Sequence, residues 1–323
     1  MPPRRTAHPL RRAAAALLAW AAVVTAQAAD DEAPALVVAY PAGGPVDLVA
    51  RQLAAALQQQ TGRAPRVENL PGASGGIGVA RLLGGRSAGW LVGTPSEVVV
   101  APLLNPALGY QPEQLRLAGV ASTVAVALVG APSDDGRPLA ALLEAARLGG
   151  RPLVCGNYGV GSHAHLAGLA LAERTGVPLT HVPHTGVAPL LRELAAGRVD
   201  LAFVPLQRGV AEFVAQGRLR LHALAAAARD ARWPALPTLE EASGAAGFDE
   251  RLWVGVFVPA AAGPAALAEA GAALATALRD EAYRAQKLAE GAQPGEPMTT
   301  DEAATLLAQE TARYRARVQA LPR

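Results

Sequence analysis

An α/β fold is what this sequence predicts, and three observations predict it. Short apolar runs alternate along the chain with stretches of helical apolar spacing. Several of those runs end in glycine-rich turns that lead into a helical pattern. About 295 residues follow an N-terminal export segment, more than one domain usually holds, so two lobes are expected. Strand–helix alternation of this kind argues for mostly parallel sheets covered by helices.

The export segment comes first. Arg4, Arg5, Arg11 and Arg12 form a basic flank, the run Ala13 to Val24 is apolar, and Ala26-Gln27-Ala28 is an A-x-A cleavage site. Residues 1–28 therefore read as a signal peptide and the mature chain as periplasmic. The apolar run is too short to span a bilayer, and it holds no cysteine for a lipid anchor. No later stretch reads as long and uncharged enough to span, so the mature chain is expected not to cross a membrane. Arg11-Arg12 alone does not decide between the Sec and twin-arginine routes.

Strands are expected over 35–40, 65–68, 90–93, 115–121, 124–129, 152–156, 179–182, 200–205, 219–225 and 252–258. Helices fill the intervals. Val46, Val49, Leu53 and Leu57 recur at helical spacing before the stop at Gly62. Leu139, Leu142, Leu143 and Ala146 do so before Gly149, and Leu166 and Leu169 follow the cap Ser162. Leu190, Leu191 and Leu194 precede Gly197, and two long helical patterns close the chain near 264–279 and 300–318. The polar stretch 279–290 reads as a solvated helix.

Charge and cysteine usage narrow the function. The chain has 29 Lys and Arg against 27 Asp and Glu, and four of the arginines lie in the export segment. The remaining 25 against 27 leave a mature net charge of −2, which argues against a nucleic-acid partner. Cys155 is the only cysteine, which excludes an internal disulfide and a cysteine-based metal site and suits a small buried apolar residue.

The turns carry the chemistry. Tyr40-Pro-Ala-Gly-Gly-Pro-Val-Asp47 joins a strand to a helix, and a side-chain-poor turn there exposes backbone N–H groups to an anion. Pro71 to Gly78, Cys155 to Ser162 and His181 to Gly186 share the design. Ligands of open α/β sheets bind at such strand ends. Glycine alone merely permits a tight turn. Several such turns in one exported chain favour a small anionic ligand over a catalytic centre. His163, His165, His181 and His184 invite a metal, but a two-residue spacing near a helix start suits no single helical face, so none is expected.

Taken in order, these motifs resemble one family. The opening P-A-G-G-P-x-D turn and Val67 to Gly78 are followed by Leu91 to Ser96, Asn105 to Leu108, Gly159 to Gly168, His181 to Gly186, Gly197 to Asp200, Leu236 to Ala242 and Trp253 to Pro259. Together they resemble the Bug receptors, or TctC family, the substrate-binding proteins of tripartite tricarboxylate transporters, over roughly residues 34–320. The resemblance implies a type II periplasmic binding protein with two α/β lobes, a ligand cleft and a hinge. Lobe 1 would hold 30–126 plus 252–323 and lobe 2 would hold 127–251. It implies a monomer without cofactor or catalytic residues that captures a small-molecule carboxylate for the membrane subunits of such a transporter.

The resemblance assigns Ala42, Gly43, Gly44 and Asp47, then Gly159, Val160, Gly161, Ser162 and His165, to the carboxylate. Tyr40, Thr94, Ser96, His184, Thr185, Gly186 and Val204 complete the implied cleft. Asp47 also suits a plain role in its own helical turn. The chain departs from the family at His184, at Val204-Pro205 and at Asn157, Tyr158 and His163. An apolar Val204-Pro205 wall would suit an aliphatic or aromatic acid better than an amino acid.

Two rivals remain. A ligand-presenting protein for a sensor kinase has no motif to separate it from a transport receptor. Gly72 to Gly78 and the Tyr283-x-x-x-Lys287 pair resemble short-chain dehydrogenases, but Pro71 interrupts the strand-to-turn junction and an earlier strand–helix unit precedes the turn. Ser74 and Ser162 lack the G-x-S-x-G elbow of a hydrolase.

Overall fold

Among the described residues, one mixed ten-stranded sheet organises the chain. The computed structural model describes residues 34–85, 89–132, 136–149 and 151–319, so the export segment expected over 1–28 lies outside the described residues. The strands are β1 Ala35–Val38, β2 Val67–Asn69, β3 Gly89–Gly93, β4 Leu115–Gly130, β5 Leu153–Asn157, β6 Leu179–Pro183, β7 Leu201–Pro205, β8 Arg220–Leu224, β9 Arg251–Pro259 and β10 Gln293–Pro294. The α-helices are α1 Pro45–Thr61, α2 Gly76–Leu83, α3 Ala101–Leu104, α4 Leu139–Arg147, α5 His163–Thr175, α6 Val187–Ala195, α7 Arg208–Ala215, α8 Leu239–Ser243, α9 Gly263–Leu278, α10 Glu281–Ala289 and α11 Thr300–Gln319.

The strand order is β2-β1-β3-β9-β4-β7-β5-β6, with β10 and β8 also paired to β4. Pairing is parallel towards both ends of the sheet, around β1 and around β5. It is antiparallel wherever β4 and β9 take part. The expected parallel character therefore holds only outside the centre, because β4 and β9 carry the chain between the two halves.

Strand β4 was expected as two pieces, 115–121 and 124–129, and is instead continuous. Register shifts between Leu117 and Gly119 and between Val120 and Ser122 let it bend without ending. Its partners change midway: Leu115 to Ala125 pair with β9, and Val126 to Gly130 pair with β7 and β8.

Each half is covered on both faces, which explains the nearly unbroken apolar strands. In and just after β1, Leu36 and Val38 join one core cluster while Val37 and Ala39 join another. In the second half, Leu201 and Phe203 face one way while Ala202 and Val204 face the other. Burial of each large aliphatic side chain contributes about 1.5–3 kcal/mol. Gly78 lets α2 lie against β1: an added Cβ would sit 2.8 Å from the Leu70 carbonyl oxygen and 3.0 Å from Ala39 Cα. Cys155 is fully buried, and burial pushes its thiol up to about 12.

Two sequence expectations need correction. The stretch Ala260–Leu278 is long and apolar enough to cross a membrane by length and composition. It buries Ala270, Leu274, Ala277 and Leu278 in a core shared with the sheet. The polar stretch 279–290 is not simply solvated, because α10 buries both Tyr283 and Lys287. Lys287 Nζ is 2.7 Å from Glu290 Oε2, and the Tyr283 hydroxyl donates to the Ala121 carbonyl at 2.9 Å. The dehydrogenase-like pair is thus an internal fixture of the first half.

Candidate functional site

Four turns follow the carboxyl ends of parallel strands: Tyr40–Gly44 after β1, Thr94-Pro95 after β3, Tyr158–Ser162 after β5 and His184–Gly186 after β6. Two of these, with the loop at Ala73-Ser74, enclose a cavity of about 250 Å³. Its wall from the first half includes Tyr40, Ser74, Ser96, Val100 and Leu104, and its wall from the second half runs Tyr158 to Ser162. The Ser74 hydroxyl donates to the Val160 carbonyl at 3.5 Å, so the two walls meet. Ala73 and Ser74 both have left-handed backbone, with φ of 48° and 54°. Such strain concentrates at ligand-holding loops. A larger cavity of about 400 Å³ lies between α11, α9 and the start of β4, and none of the sequence-predicted residues lines it.

The opening turn is held from inside. Asp47 is 1% exposed, and its carboxylate accepts from the Gly43 N–H at 2.8 Å, Asn69 Nδ2 at 2.9 Å and Arg51 Nε at 2.8 Å. Burial alone would raise its pKa, but the bonds from Arg51, Gly43 and Asn69 hold it below the usual carboxylate range. Asp47 therefore shapes the turn. Gly44 N–H reaches the Pro41 carbonyl at 3.4 Å. Among the described residues no acceptor meets the N–H of Ala42, and Val46 and Asp47 begin α1, where N–H groups have no intrahelical acceptor.

The second glycine turn is equally self-supporting. Gly159 N–H donates to Asn157 Oδ1 at 3.1 Å, Gly161 N–H to His165 Nδ1 at 3.0 Å, and Ser162 N–H to the Gly159 carbonyl at 3.0 Å. Ser162 caps α5 as expected, its hydroxyl accepting from His165 N–H at 3.3 Å. His165 thus braces the loop, and burial lowers its pKa. Its ring meets His181 edge-on at 5.1 Å. Val160, 60% exposed, keeps its N–H without an acceptor among the described residues.

The structure brings Tyr40, Ser96, Gly159, Val160, Gly161 and Ser162 to one cavity. Other expected residues stand elsewhere: Ala42, Gly43, Gly44, Asp47 and His165 do not line the cavity. Thr94 is buried, and its N–H and hydroxyl both donate to Glu97. His184 bonds the Val182 carbonyl at 3.0 Å, and Thr185 and Gly186 do not line the cavity. Val204 is fully buried in the second-half core, so the apolar wall inferred from Val204-Pro205 is not a wall of this cavity. Sequence reasoning missed Ser74, Val100, Leu104 and Tyr158. The strained glycine turn around Ser74 was the available signal.

A family model described as tripartite tricarboxylate transporter family receptor matches residues 49–322. The chain is similar to the solved structure of R. palustris Rpa4515 with adipate, at 28% identity and a TM-score of 0.80, covering 90% of this chain and 97% of that one. It is similar to MatC (Rpa3494) from Rhodopseudomonas palustris with bound malate, at 26% identity and a TM-score of 0.75, covering 88% and 98%. The periplasmic binding protein BugD is 26% identical, with a TM-score of 0.75 and coverage of 90% and 96%.

Proposed function

Because the chain belongs to the tripartite tricarboxylate transporter receptor family, we propose that it captures a small carboxylate in the 250 Å³ cavity and delivers it to the membrane subunits of such a transporter. Family members are periplasmic solute-binding receptors and not enzymes. The observation that carries the reading is the cavity's position between Tyr40, Ser74 and Ser96 of one half and the Tyr158–Ser162 turn of the other. Its volume is below the roughly 300–1,000 Å³ of sites for drug-sized ligands, which favours a compact acid.

The free donors differ from those the sequence suggested. Gly43, Gly159, Gly161 and Ser162 spend their N–H groups within their own turns. The carboxylate is assigned instead to the N–H group of Val160 and the hydroxyl of Ser96, both on the cavity wall. Uncharged donors of this kind hold an anion reversibly. The halves act as lobes 30–126 plus 252–323 and 127–251. The hinge is assigned to β4, where pairing changes between Ala125 and Val126, and to the entry into β9 at Arg251. Closure desolvates the ligand and strengthens its hydrogen bonds.

The test is to purify the mature chain, denature it and identify any released molecule by mass spectrometry. Thermal shifts against mono-, di- and tricarboxylates follow. A specific acid at 100 times its Kd adds about 2.7 kcal/mol of stability. A chain stabilised by NAD(H) and by no acid would refute the proposal. Loss of uptake of the identified acid by cells lacking the gene tests the transport role.

A further inference from the structure

The proposed carboxylate site also specifies a second group on its ligand, and this inference rests on that reading of the cavity. Glu97 is the second residue of the π-helical turn Ser96–Val100, next to the cavity-lining Ser96, and is fully buried. Among the described residues it has no cationic partner. Its Oε1 accepts the Thr94 N–H at 2.6 Å, and its Oε2 accepts the Thr94 hydroxyl at 2.5 Å and the Tyr40 hydroxyl at 2.7 Å. Thr94 Oγ1 accepts the Ser96 N–H at 3.2 Å, and a charged Glu97, which can only accept, takes the protons of the Thr94 and Tyr40 hydroxyls. Burial raises Glu97 above the usual carboxylate range, while the Thr94 and Tyr40 bonds oppose that shift by favouring the charged form. Burial likewise raises Tyr40 well above its ordinary value, with Glu97 adding to the effect, so the phenol keeps its proton.

Tyr40 lines the cavity. Its single proton is committed to Glu97, so the phenolic oxygen can only accept from a ligand, and Thr94 is already a partner of that oxygen. Neither Glu97 nor Thr94 touches the cavity, and both act through Tyr40 as positioning residues. We propose that Glu97 holds Tyr40 as a hydrogen-bond acceptor, so that the site selects carboxylates bearing a hydroxyl or ammonium donor over the same carbon skeleton without one. A polar acceptor left unpaired in a closed site is costly, which is why such sites reject the analogue that lacks the donor.

The experiment is calorimetric titration of the mature chain with succinate, malate and aspartate, which share a four-carbon diacid skeleton. The malate and aspartate arms separate a hydroxyl from an ammonium donor. At least one of the two is expected to bind about tenfold or more tightly than succinate. The same titrations on Tyr40→Phe and Glu97→Gln read the ratio of affinities, which a merely structural role would leave in place. Collapse of the preference towards unity in both supports the proposal. Equal binding of the three acids, or a preference that survives in Tyr40→Phe, overturns it while leaving the carboxylate site standing. Failure of every carboxylate to bind overturns the site reading and this inference with it. Should Glu97→Gln not fold, Tyr40→Phe, which removes one hydroxyl, decides alone.

Discussion

His163 Nε2 lies 2.8 Å from Glu250 Oε2, with both side chains at most 1% exposed. His163 opens α5, directly after the Ser162 cap, whereas Glu250 immediately precedes β9. Arg317, from the C-terminal helix α11, closes on the same carboxylate through both terminal nitrogens. Glu250 N–H also donates to the Ala225 carbonyl at 2.6 Å. One buried carboxylate therefore ties the cavity-forming helix of the second half to the last helix of the first.

Glu250→Ala is expected to cost about 3–5 kcal/mol, because it leaves His163 and Arg317 facing a buried gap. Burial would raise this carboxyl, but the bonds from His163 and Arg317 overcome it and hold it well below the usual range. A carboxyl lowered in the folded state contributes its full stability above its unfolded pKa of about 4.3 and loses it as pH falls towards the folded value. Urea unfolding of wild type and Glu250→Gln should show a gap at pH 7 that narrows at pH 3. An unchanged gap would mean the pair is not ionic.

Asp47→Ala should destabilise the chain by about 2–4 kcal/mol, since three donors lose a buried acceptor. Arg51→Ala should cost under about 1 kcal/mol, because Arg51 is half exposed and water replaces its partner. The turn should also lose its shape in the Asp47 variant, so carboxylate binding falls with stability. Denaturation midpoints and calorimetry on the two variants compare the effects. Comparable losses from Arg51→Ala would show that the ion pair, rather than the bond to Gly43, holds the turn.

Sequence pattern revealed what repeats locally. The strands near 35–40, 152–156 and 200–205 are apolar runs, and their helices carry regular spacing and glycine stops, so both halves of the sheet were legible. The Ser162 cap was legible for the same reason. Contacts distant in sequence left no such mark. Glu97 sits beside three valines with no local sign that Tyr40, 57 positions earlier, is its partner. The donors of Gly43 and Gly161 looked free because nothing in a motif shows Asp47 and His165 folding back onto them. Val204 was placed in the cleft by the family resemblance, whereas its side-chain parity turns it into the core.

The buried Lys287 should prove expendable and its partner should not. Gln52 Nε2 donates to Glu290 Oε1 at 2.6 Å, so Glu290 keeps a partner when Lys287 is lost. Lys287→Met is expected to change stability by no more than about 1 kcal/mol, since an apolar side chain of similar length fills the space. Glu290→Ala leaves an ammonium buried without its anion and should cost about 2–4 kcal/mol. Burial already lowers the Lys287 pKa. A base lowered in the folded state binds fewer protons than the unfolded chain, so stability rises with pH. The Glu290→Ala deficit should therefore shrink between pH 7 and pH 10, and a pH-independent deficit would place its origin in packing.

Gly161 tests whether the two halves must close tightly to bind. Its φ of 76° already excludes most side chains, and an added Cβ would stand 2.2 Å from Leu104 Cδ1, across the cavity in the first half. Gly161→Ala therefore meets backbone strain of about 1 kcal/mol and pushes the Leu104 side chain off its place on the opposite wall. Affinity for the bound acid should fall about tenfold or more, with little change in the melting temperature of the unliganded chain. Adding Leu104→Ala removes the clash but not the strain, so the double variant should recover most of the lost affinity. Double-mutant-cycle calorimetry isolates that coupling. Additive losses in the cycle would mean that the Gly161–Leu104 approach has no part in closure, and the strained turn alone would then explain the loss.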